Sequence, residues 1–488
     1  MQKKIENGVR VRFAPSPTGY LHVGGLRTAL YNYLFAKKNS GTLVLRIEDT
    51  DQSREVAGAT DVIINDLHWA GITCDEGPTI GGEYGPYLQS QRLDIYHKYA
   101  QQLIDEGHAY YCFCTTERLE SLRSAQQAAH VPPGYDRHCR ELSKQDAQDL
   151  LAKKTPYVIR MKLPLTGQIT FNDLIRGEVT IAWKALDDQV LIKSDGFPTY
   201  HLAVVVDDHL IGITHVIRGE EWLPSTPKHV LLYQYFGWQL PEFAHLPLLL
   251  NPDRSKLSKR QGDVSVGDYR IKGYLPAAVI NFIALLGWNP GDTREIFTLK
   301  ELVHEFSLER VGKSGAVFDI QKLNWLNQQY LVKMSAEEIL PLIQPLLAQK
   351  NITGFSDEYL KQIIDLTKDR AVTLPDFVDL NLFFFTAPTT FDPVDIKKSC
   401  KTDTLELMSA LEQKYAALEP FDAGTAEHTL RAYAQELGIG AGKLLQPLRL
   451  AITGITQGPA LFHTMEILGK EESLRRINFA CENFEKII

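Results

Sequence analysis

A histidine followed by two adjacent glycines lies near the start of the chain, between a predicted strand and a predicted helix. The segment is Gly19-Tyr20-Leu21-His22-Val23-Gly24-Gly25. Glycines let the phosphates or the adenine of a nucleotide approach the backbone, and the N-terminus of a helix favours negative charge. His22 can then donate a hydrogen bond to a phosphate oxygen as charge develops there. The alternative is a glycine-rich turn beside an ordinary histidine, because the spacing is not that of a dinucleotide-binding fingerprint.

A second segment gathers lysines and arginines in a predicted loop. It reads Arg254-Ser255-Lys256-Leu257-Ser258-Lys259-Arg260, and Gly262 follows it. If the loop folds over a polyphosphate, Lys256 and Lys259 can both reach it, and lysine suits this role as a mobile point charge on a flexible stem. A solvated run of charge is the alternative for this segment taken alone.

The patterns of strands and helices place the first segment inside a βαβ unit. Residues 9–14 alternate as a strand, apolar residues keep helical spacing from about 26 to 39, and a second strand is expected at 43–47. Such a unit brings the N-terminus of its helix to the carboxyl end of a parallel sheet. We therefore expect ligands to bind at that edge.

A similar alternation returns later in the chain. We expect strands at 189–193, 204–207 and 214–218, and a helix at about 224–235. One parallel sheet is thus predicted to be split by a region inserted between about 110 and 190. Beyond about residue 320, helical spacing dominates and strand patterns become scarce. The predicted fold class is α/β, with a Rossmann-like parallel-sheet domain, an inserted region and all-α C-terminal domains.

Length and composition restrict the class of protein. A chain of 488 residues is too long for one hydrophobic core and predicts two to four domains. No stretch approaches the run of roughly 18 apolar residues that a spanning helix needs, and the first residues lack the apolar core of a signal peptide. We therefore expect a cytoplasmic protein with no membrane partner. The net charge of −8 gives no overall attraction to nucleic acid, so an RNA partner would require locally gathered cations.

Together the two segments resemble the two signature sequences of class I aminoacyl-tRNA synthetases. His22-Val23-Gly24-Gly25 corresponds to the first signature, and Lys256-Leu257-Ser258-Lys259-Arg260 corresponds to the second. Further motifs are similar to those of the glutamyl and glutaminyl subgroup, and the resemblance continues through most of the chain. These motifs are Arg12-Phe13-Ala14-Pro15-Ser16-Pro17-Thr18-Gly19, Arg46-Ile47-Glu48-Asp49-Thr50-Asp51, Ser194-Asp195-Gly196-Phe197-Pro198-Thr199-Tyr200-His201-Leu202-Ala203, Val206-Asp207-Asp208-His209, Arg218-Gly219-Glu220-Glu221-Trp222 and Gln446-Pro447-Leu448-Arg449.

The resemblance implies an enzyme that activates glutamate with ATP and transfers it to tRNA(Glu) through a glutamyl-adenylate. Magnesium would accompany ATP, and we expect a monomer. His22, Lys256 and Lys259 are the implied catalytic residues. The implied ATP-binding set is Gly19, His22, Gly24, Gly25, Lys256, Ser258 and Lys259, and the implied glutamate-binding set is Arg12, Ala14, Ser16, Glu48, Tyr200 and Arg218.

The chemistry of the substrate agrees with these glutamate-binding residues. Glutamate has two carboxylates and one ammonium, so its pocket needs cations and an acceptor. Arg12 and Arg218 can hold carboxylates, and Arg218 is the candidate for the side-chain carboxylate. Glu48 can accept from the ammonium, and Tyr200 can donate to a carboxylate. Val204 stands where some members of the family have asparagine, so that contact is not available in this chain.

Three cysteines near the inserted region predict a structural zinc site. Cys112 and Cys114 are followed after 24 residues by Cys139, whereas tetrahedral zinc requires four ligands. Zinc-binding relatives supply the fourth ligand in one of two ways. Some have a histidine two residues after the third cysteine, where this chain has Glu141, and others use a tyrosine four residues before it, which Tyr135 matches. His138 is a further candidate, and a zinc-free remnant of such a site remains an alternative.

The resemblance also implies a division of the chain. Residues 1–110 and 191–255 would form the two halves of the catalytic domain, and 111–190 the inserted region that binds the tRNA acceptor end. Residues 256–330 would carry the signature loop and a helical region that contacts the stem, and 331–488 would bind the anticodon. Glutaminyl enzymes, which end in β-barrels, are one alternative. A shorter paralogue that lacks the anticodon-binding region and a degenerate non-catalytic relative are the others.

Overall fold

The chain divides into two units. The computed structural model describes residues 8–257, 265–401 and 403–487. The first unit comprises Met1–Arg270 and Val279–Ile320, and the second comprises Ile271–Ala278 and Gln321–Ile488. Among the described residues, no helix combines the length and the apolar character that crossing a membrane requires.

The first unit is built of alternating strands and helices. Its strands are β1 (Arg10–Phe13), β2 (Thr42–Leu45), β3 (Ala109–Cys112), β4 (Val158–Met161), β5 (Gln168–Asp173), β6 (Gly177–Ala182), β7 (Val190–Ile192), β8 (His215–Gly219), β9 (Glu242–Leu246), β10 (Leu249–Leu250) and β11 (Ala316–Val317). Its helices are α1 (Val23–Lys38), α2 (Ala59–Trp69), α3 (Leu93–Asp105), α4 (Thr116–Ala128), α5 (Lys144–Ala152), α6 (Tyr200–Leu210), α7 (Thr226–Tyr235), α8 (Val266–Ile271), α9 (Pro276–Ala284) and α10 (Leu299–Glu305), and the division into units falls within α8 and α9.

The predicted βαβ unit is confirmed. β1 and β2 pair in parallel from Arg10↔Thr42 to Phe13↔Leu45, and α1 connects them. The amide of Thr214 donates to the carbonyl of Arg10 (2.9 Å), which places β8 beside β1. β8 pairs in parallel with β9, and β9 meets the end of β5. Since the carboxyl ends of β1, β2 and β8 share one edge, the side chains that follow or end these strands meet there.

Two of the later expectations were wrong in detail. Residues 204–207 are not a strand but lie within α6, where every side chain from Leu202 to Asp208 is buried. A short apolar run does not distinguish a buried strand from a buried helix, because both are apolar on all sides. The strand expected at 189–193 exists as β7, but it pairs antiparallel with β4 rather than joining the parallel sheet.

The inserted region contains its own antiparallel sheet in the order β3-β4-β7. The buried carboxylate of Asp188 holds this region together, since it accepts from Arg140 (2.7 Å) and from the Tyr110 hydroxyl (2.8 Å). β5 and β6 form a hairpin whose last pair reaches β9. The expected parallel sheet therefore extends into residues that were assigned to the insertion.

The second unit is helical throughout its described residues, as predicted. After α9 its helices are α11 (Ile320–Lys333), α12 (Ala336–Gln349), α13 (Asp357–Thr367), α14 (Asp376–Asp379), α15 (Pro393–Ser399), α16 (Thr404–Ala416), α17 (Ala423–Glu436), α18 (Gly442–Thr453), α19 (Leu461–Leu468) and α20 (Lys470–Phe484). One apolar core includes Leu331, Ile339 and Phe377, and a second includes Met408, Leu448 and Phe484. Two cores agree with the predicted all-α C-terminal domains.

Candidate active site

A cavity of about 710 Å³ opens at the carboxyl ends of β1 and β8. All six side chains or backbone positions predicted to contact glutamate line it, although they come from distant parts of the chain. They are Arg12, Ala14, Ser16, Glu48, Tyr200 and Arg218. The sheet explains this convergence, because Arg12 and Arg218 lie at the ends of parallel neighbours and Glu48 follows β2.

A smaller cavity of about 250 Å³ adjoins the first and contains His22 and Lys256 in its lining. Gly24 and Gly25 line both cavities. A Cβ atom on Gly24 would lie 3.3 Å from Nδ1 of His22, and one on Gly25 would lie 3.0 Å from Cδ1 of Leu21. A side chain at either glycine would therefore crowd His22 or Leu21.

His22 caps the N-terminus of α1. Its Nδ1 accepts a hydrogen bond from the amide of Gly24 at 3.0 Å. A neutral imidazole in this position carries its proton on Nε2, so this nitrogen is a donor. The cap thus gives His22 the donor that was predicted for a developing phosphate charge.

The remaining predicted ATP-binding residues differ in their position relative to the two cavities. Lys256 is exposed and lines the smaller cavity. Gly19 has φ of +147°, a conformation that favours glycine, but it lines neither cavity. Ser258 and Lys259 lie outside the described residues.

A network of charges surrounds the amino-acid end of the larger cavity. Nε of Arg12 donates to Asp208 (3.1 Å), and the fully buried Arg46 donates to Asp208 (2.7 Å) and to Glu48 (3.1 Å). Burial raises the pKa of Glu48, and the charges of Arg46 and Arg12 oppose that effect. Burial would also raise the pKa of Asp208, but Arg12 and Arg46 lower it below its ordinary value.

Arg218 lies in a different environment. The residue is 5% exposed, and four of its N–H groups donate to uncharged acceptors. These acceptors are Nε2 of His245 (3.0 Å), the Tyr200 hydroxyl (2.9 Å), Nδ1 of His229 (3.3 Å) and the Thr226 hydroxyl (2.9 Å). Within the described ranges, Arg218 forms no ion pair with a carboxylate. A buried cation that lines a cavity without an anionic partner favours an anionic ligand.

Several residues of this site were not identified as functional from the sequence. Arg46 and Asp208 lie within motifs that carried the resemblance, so a signal for them existed. Thr226, His229 and His245 lie on α7 and β9 in patterns that are typical of a buried core, and no spacing marks them. Their role becomes visible only when the strands are placed side by side.

The three predicted cysteines meet in the inserted region. The sulfur atoms of Cys112, Cys114 and Cys139 all lie within 4.8 Å of one another, with Cys114 and Cys139 at 3.6 Å. The Tyr135 hydroxyl lies 3.2 Å from the sulfur of Cys112 and 3.5 Å from that of Cys114. The side chain of Glu141, in contrast, is 82% exposed and faces Arg140. In a zinc tetrahedron with Zn–S bonds of about 2.3 Å, neighbouring sulfurs are about 3.8 Å apart, so the four side chains fit such a site.

The chain is similar to known proteins over nearly its whole length. The family model described as tRNA synthetases class I (E and Q), catalytic domain, matches residues 8–325, and that of an anticodon binding domain matches residues 335–481. A glutamate–tRNA ligase of Chlorobium luteolum is 50% identical, with 97% of each chain covered, and one of Chlorobaculum parvum is 51% identical, with 96% of this chain and 97% of the relative covered. A crystal structure of a glutamate tRNA ligase from Elizabethkingia meningosepticum in complex with its amino acid matches with a TM-score of 0.92 at 46% identity, covering 98% of this chain and all of that one.

Proposed function

The chain belongs to the family of class I tRNA synthetases for glutamate and glutamine, and we propose that it uses ATP to join glutamate to tRNA(Glu). The observation that supports glutamate is the environment of Arg218. This buried guanidinium lines the larger cavity and has only uncharged partners among the described residues. The side-chain carboxylate of glutamate supplies the missing negative charge, whereas the amide of glutamine does not.

The reaction proceeds in two steps. An oxygen of the α-carboxylate of glutamate attacks the α-phosphorus of ATP, and the bond to pyrophosphate breaks. A hydroxyl of the terminal ribose of tRNA then attacks the carbonyl carbon of the adenylate, and AMP leaves. Neither step needs a nucleophile from the protein, so catalysis consists of positioning and of stabilising the charge that develops on the phosphates. ATP enters as its complex with a divalent metal ion such as magnesium.

The two cavities divide the substrates between them. Glutamate occupies the larger cavity, beside Arg12, Ala14, Ser16, Glu48, Tyr200 and Arg218. The Nε–H group of Arg12 donates to Asp208 and one N–H group of a terminal nitrogen donates to the carbonyl of Ile217 (3.4 Å), so the other terminal N–H groups remain for a carboxylate of the substrate. Glu48 accepts from the ammonium group, and the Tyr200 hydroxyl, which accepts from Arg218, directs its own proton to the side-chain carboxylate.

The triphosphate of ATP extends into the smaller cavity. The Nε2–H group of His22 and the N-terminus of α1 face the phosphates there, with Gly24 and Gly25 allowing close approach. Lys256 adds a mobile positive charge from the rim. Gly19, Ser258 and Lys259 are assigned to the same nucleotide on the basis of the family signatures.

The RNA contacts follow the division expected from the sequence. The inserted region, 111–190, holds the acceptor end, 256–330 contacts the stem, and 331–488 reads the anticodon; the anticodon-domain match at 335–481 supports the last assignment. We propose that the enzyme works as a monomer in the cytoplasm. Light scattering of the purified protein with and without tRNA would test the oligomeric state.

We also propose that Cys112, Cys114, Tyr135 and Cys139 hold a structural zinc ion. The mutual distances of their ligand atoms support this set, and Tyr135 is favoured over Glu141 because its oxygen already lies among the sulfurs. Zinc would hold the inserted region together and would take no part in the chemistry, since structural zinc stabilises the module that supplies its ligands.

Charging assays test the activity. Purified tRNA(Glu) and glutamine tRNA are each incubated with the enzyme, ATP and labelled glutamate, glutamine or aspartate. We expect glutamate to be attached to tRNA(Glu), and we expect neither glutamine nor aspartate to be attached to any tRNA. Attachment of glutamine in preference to glutamate would refute the assignment and would favour the glutaminyl alternative.

A further inference from the structure

Around Arg218 lies a shell formed by Tyr200, Thr226, His229 and His245. We propose that His229 and His245 are positioning residues that hold the guanidinium of Arg218 through uncharged acceptors, so that its positive charge is left for an acidic substrate side chain. This inference rests on the proposed function and assigns the choice of glutamate over glutamine to residues behind the arginine as well as to the arginine itself.

The other buried arginines of the site show the contrast. Arg12 and Arg46 both donate to Asp208, and Arg46 also donates to Glu48, so their charges are balanced within the protein. Arg218 donates through four of its five N–H groups, but none of these hydrogen bonds is to a carboxylate of the described residues. Its geometry is therefore fixed while its charge is not compensated.

The tautomer of His245 is set by Asp173, which contacts the ring nitrogen that does not face Arg218. Its Nδ1 lies 2.6 Å from Oδ2 of Asp173, to which it donates, so Nε2 carries a lone pair toward Arg218. Asp173 also accepts from the amides of Ile175 (3.0 Å) and Arg176 (2.8 Å). Asp173 thus orients the imidazole, and the ring separates its carboxylate from the guanidinium.

The tautomer of His229 follows from the same logic. Because Nδ1 accepts from Arg218, the proton of the neutral ring is on Nε2, which donates to Nδ1 of His201 at 3.0 Å. Burial, with the charge of Arg218, lowers the pKa of His229 well below its ordinary value, and burial likewise lowers the pKa of His245 to about 4. Both rings are therefore neutral acceptors near pH 7.

This arrangement has a consequence for selectivity. Glutamate and glutamine have nearly the same shape and differ in charge. A site whose arginine is already paired with a carboxylate would gain little from the charge of glutamate, whereas an uncompensated arginine strongly favours it. Two histidines, rather than an aspartate or a glutamate, at hydrogen-bond distance from Arg218 therefore determine which of the two amino acids is preferred.

A pair of variants that differ in one charge tests the proposal. Asparagine in place of His229 keeps an oxygen acceptor near the position of Nδ1, and aspartate keeps the same shape and adds a negative charge. Pyrophosphate exchange is measured at pH 8 with tRNA present, and kcat and KM are determined for glutamate, glutamine and ATP. His245→Gln and His245→Glu form a second pair in case one site does not tolerate substitution, and thermal melting shows which variants are folded.

We expect His229→Asp to lower kcat/KM for glutamate on the order of 100-fold relative to His229→Asn, chiefly through KM, as for the loss of a buried charge partner. The KM for ATP should change little, and the ratio of glutamate to glutamine use should fall by a similar factor. Equal ratios in folded Asp and Asn variants at both positions would overturn the proposal, because a purely structural role cannot distinguish the two side chains by charge. Failure of the wild-type enzyme to activate glutamate would instead refute the proposed function.

Discussion

Replacement of Arg218 by glutamine is the sharpest test of how the site recognises its amino acid. In the wild-type protein, Arg218 contributes the positive charge of the larger cavity that has no carboxylate partner among the described residues. The variant leaves the side-chain carboxylate of glutamate without that charge, and Arg12 cannot replace it because Asp208 already balances Arg12. Losing one member of a buried, hydrogen-bonded charge pair costs about 2–5 kcal/mol.

At about 1.4 kcal/mol for each factor of ten, this loss corresponds to a decrease of roughly 30-fold to 5,000-fold in kcat/KM for glutamate. The upper part of the range is expected, because four neutral acceptors also lose their donor. Arg218→Lys should fall between wild type and Arg218→Gln, since lysine keeps the charge but lacks the planar set of donors. Use of glutamine should decrease far less in Arg218→Gln, because its amide does not depend on the charge.

The assay is pyrophosphate exchange in the presence of tRNA, with glutamate, glutamine and ATP varied in turn. The KM for ATP should stay within about threefold of wild type, since ATP occupies the adjoining cavity. Arg10→Gln is a matched control, because Glu76 already balances the charge of Arg10 outside both cavities and outside the inserted region. Unchanged KM for glutamate in folded Arg218→Gln, or equal losses for glutamate and glutamine, would refute the reasoning and would direct attention to Arg12.

Three further predictions concern the signature loop, the metal site and acid stability. Lys259→Ala should lower the turnover of adenylate formation roughly 100-fold or more with little change in KM for ATP, and a variant with normal turnover would contradict this role. Chelation of zinc should reduce tRNA charging while binding of glutamate and ATP persists. Tyr135→Phe should bind zinc more weakly than the wild-type protein. Less than about a tenth of an equivalent of zinc in enzyme purified without chelator would rule the site out. Burial lowers the pKa of His201 to about 3 and that of His245 to about 4. Each neutral ring therefore contributes to the free energy of unfolding above the unfolded-state pKa of about 6.5. This contribution is lost at roughly 1.4 kcal/mol per pH unit as the pH falls from there toward the folded-state pKa. Thermal unfolding at pH 7 and pH 5 should therefore show a smaller drop in Tm for His245→Gln than for wild type, and an equal drop would contradict this cause.

A feature could be predicted from the sequence where the residues that define it lie close together in the chain. The β1–α1–β2 unit was predictable because alternation, helical spacing and glycines occur within about 40 adjacent residues. Arg12, Glu48 and Arg218 were named because they lie in motifs that resemble those of a known family, and the structure brings them to one cavity because they end or follow strands that share one edge. His229 and His245 were not, because their tautomers depend on contacts with residues of other elements: Arg218 is 11 residues from His229, and Asp173 is 72 residues from His245.

The wrong strand at 204–207 shows why element type matters to chemistry. In a strand, successive side chains point to opposite faces, so Asp207 and Asp208 could not both approach one arginine from the same side. In α6, adjacent side chains are about 100° apart, and both carboxylates reach Arg46, at 3.7 Å for Asp207 and 2.7 Å for Asp208. Asp207 then also holds Arg92 (2.7 Å) and Asp208 also holds Arg12. The helix thus supplies the carboxylates that balance Arg12 and Arg46. It offers only the Tyr200 hydroxyl to Arg218, so the charge of that arginine is left for the substrate.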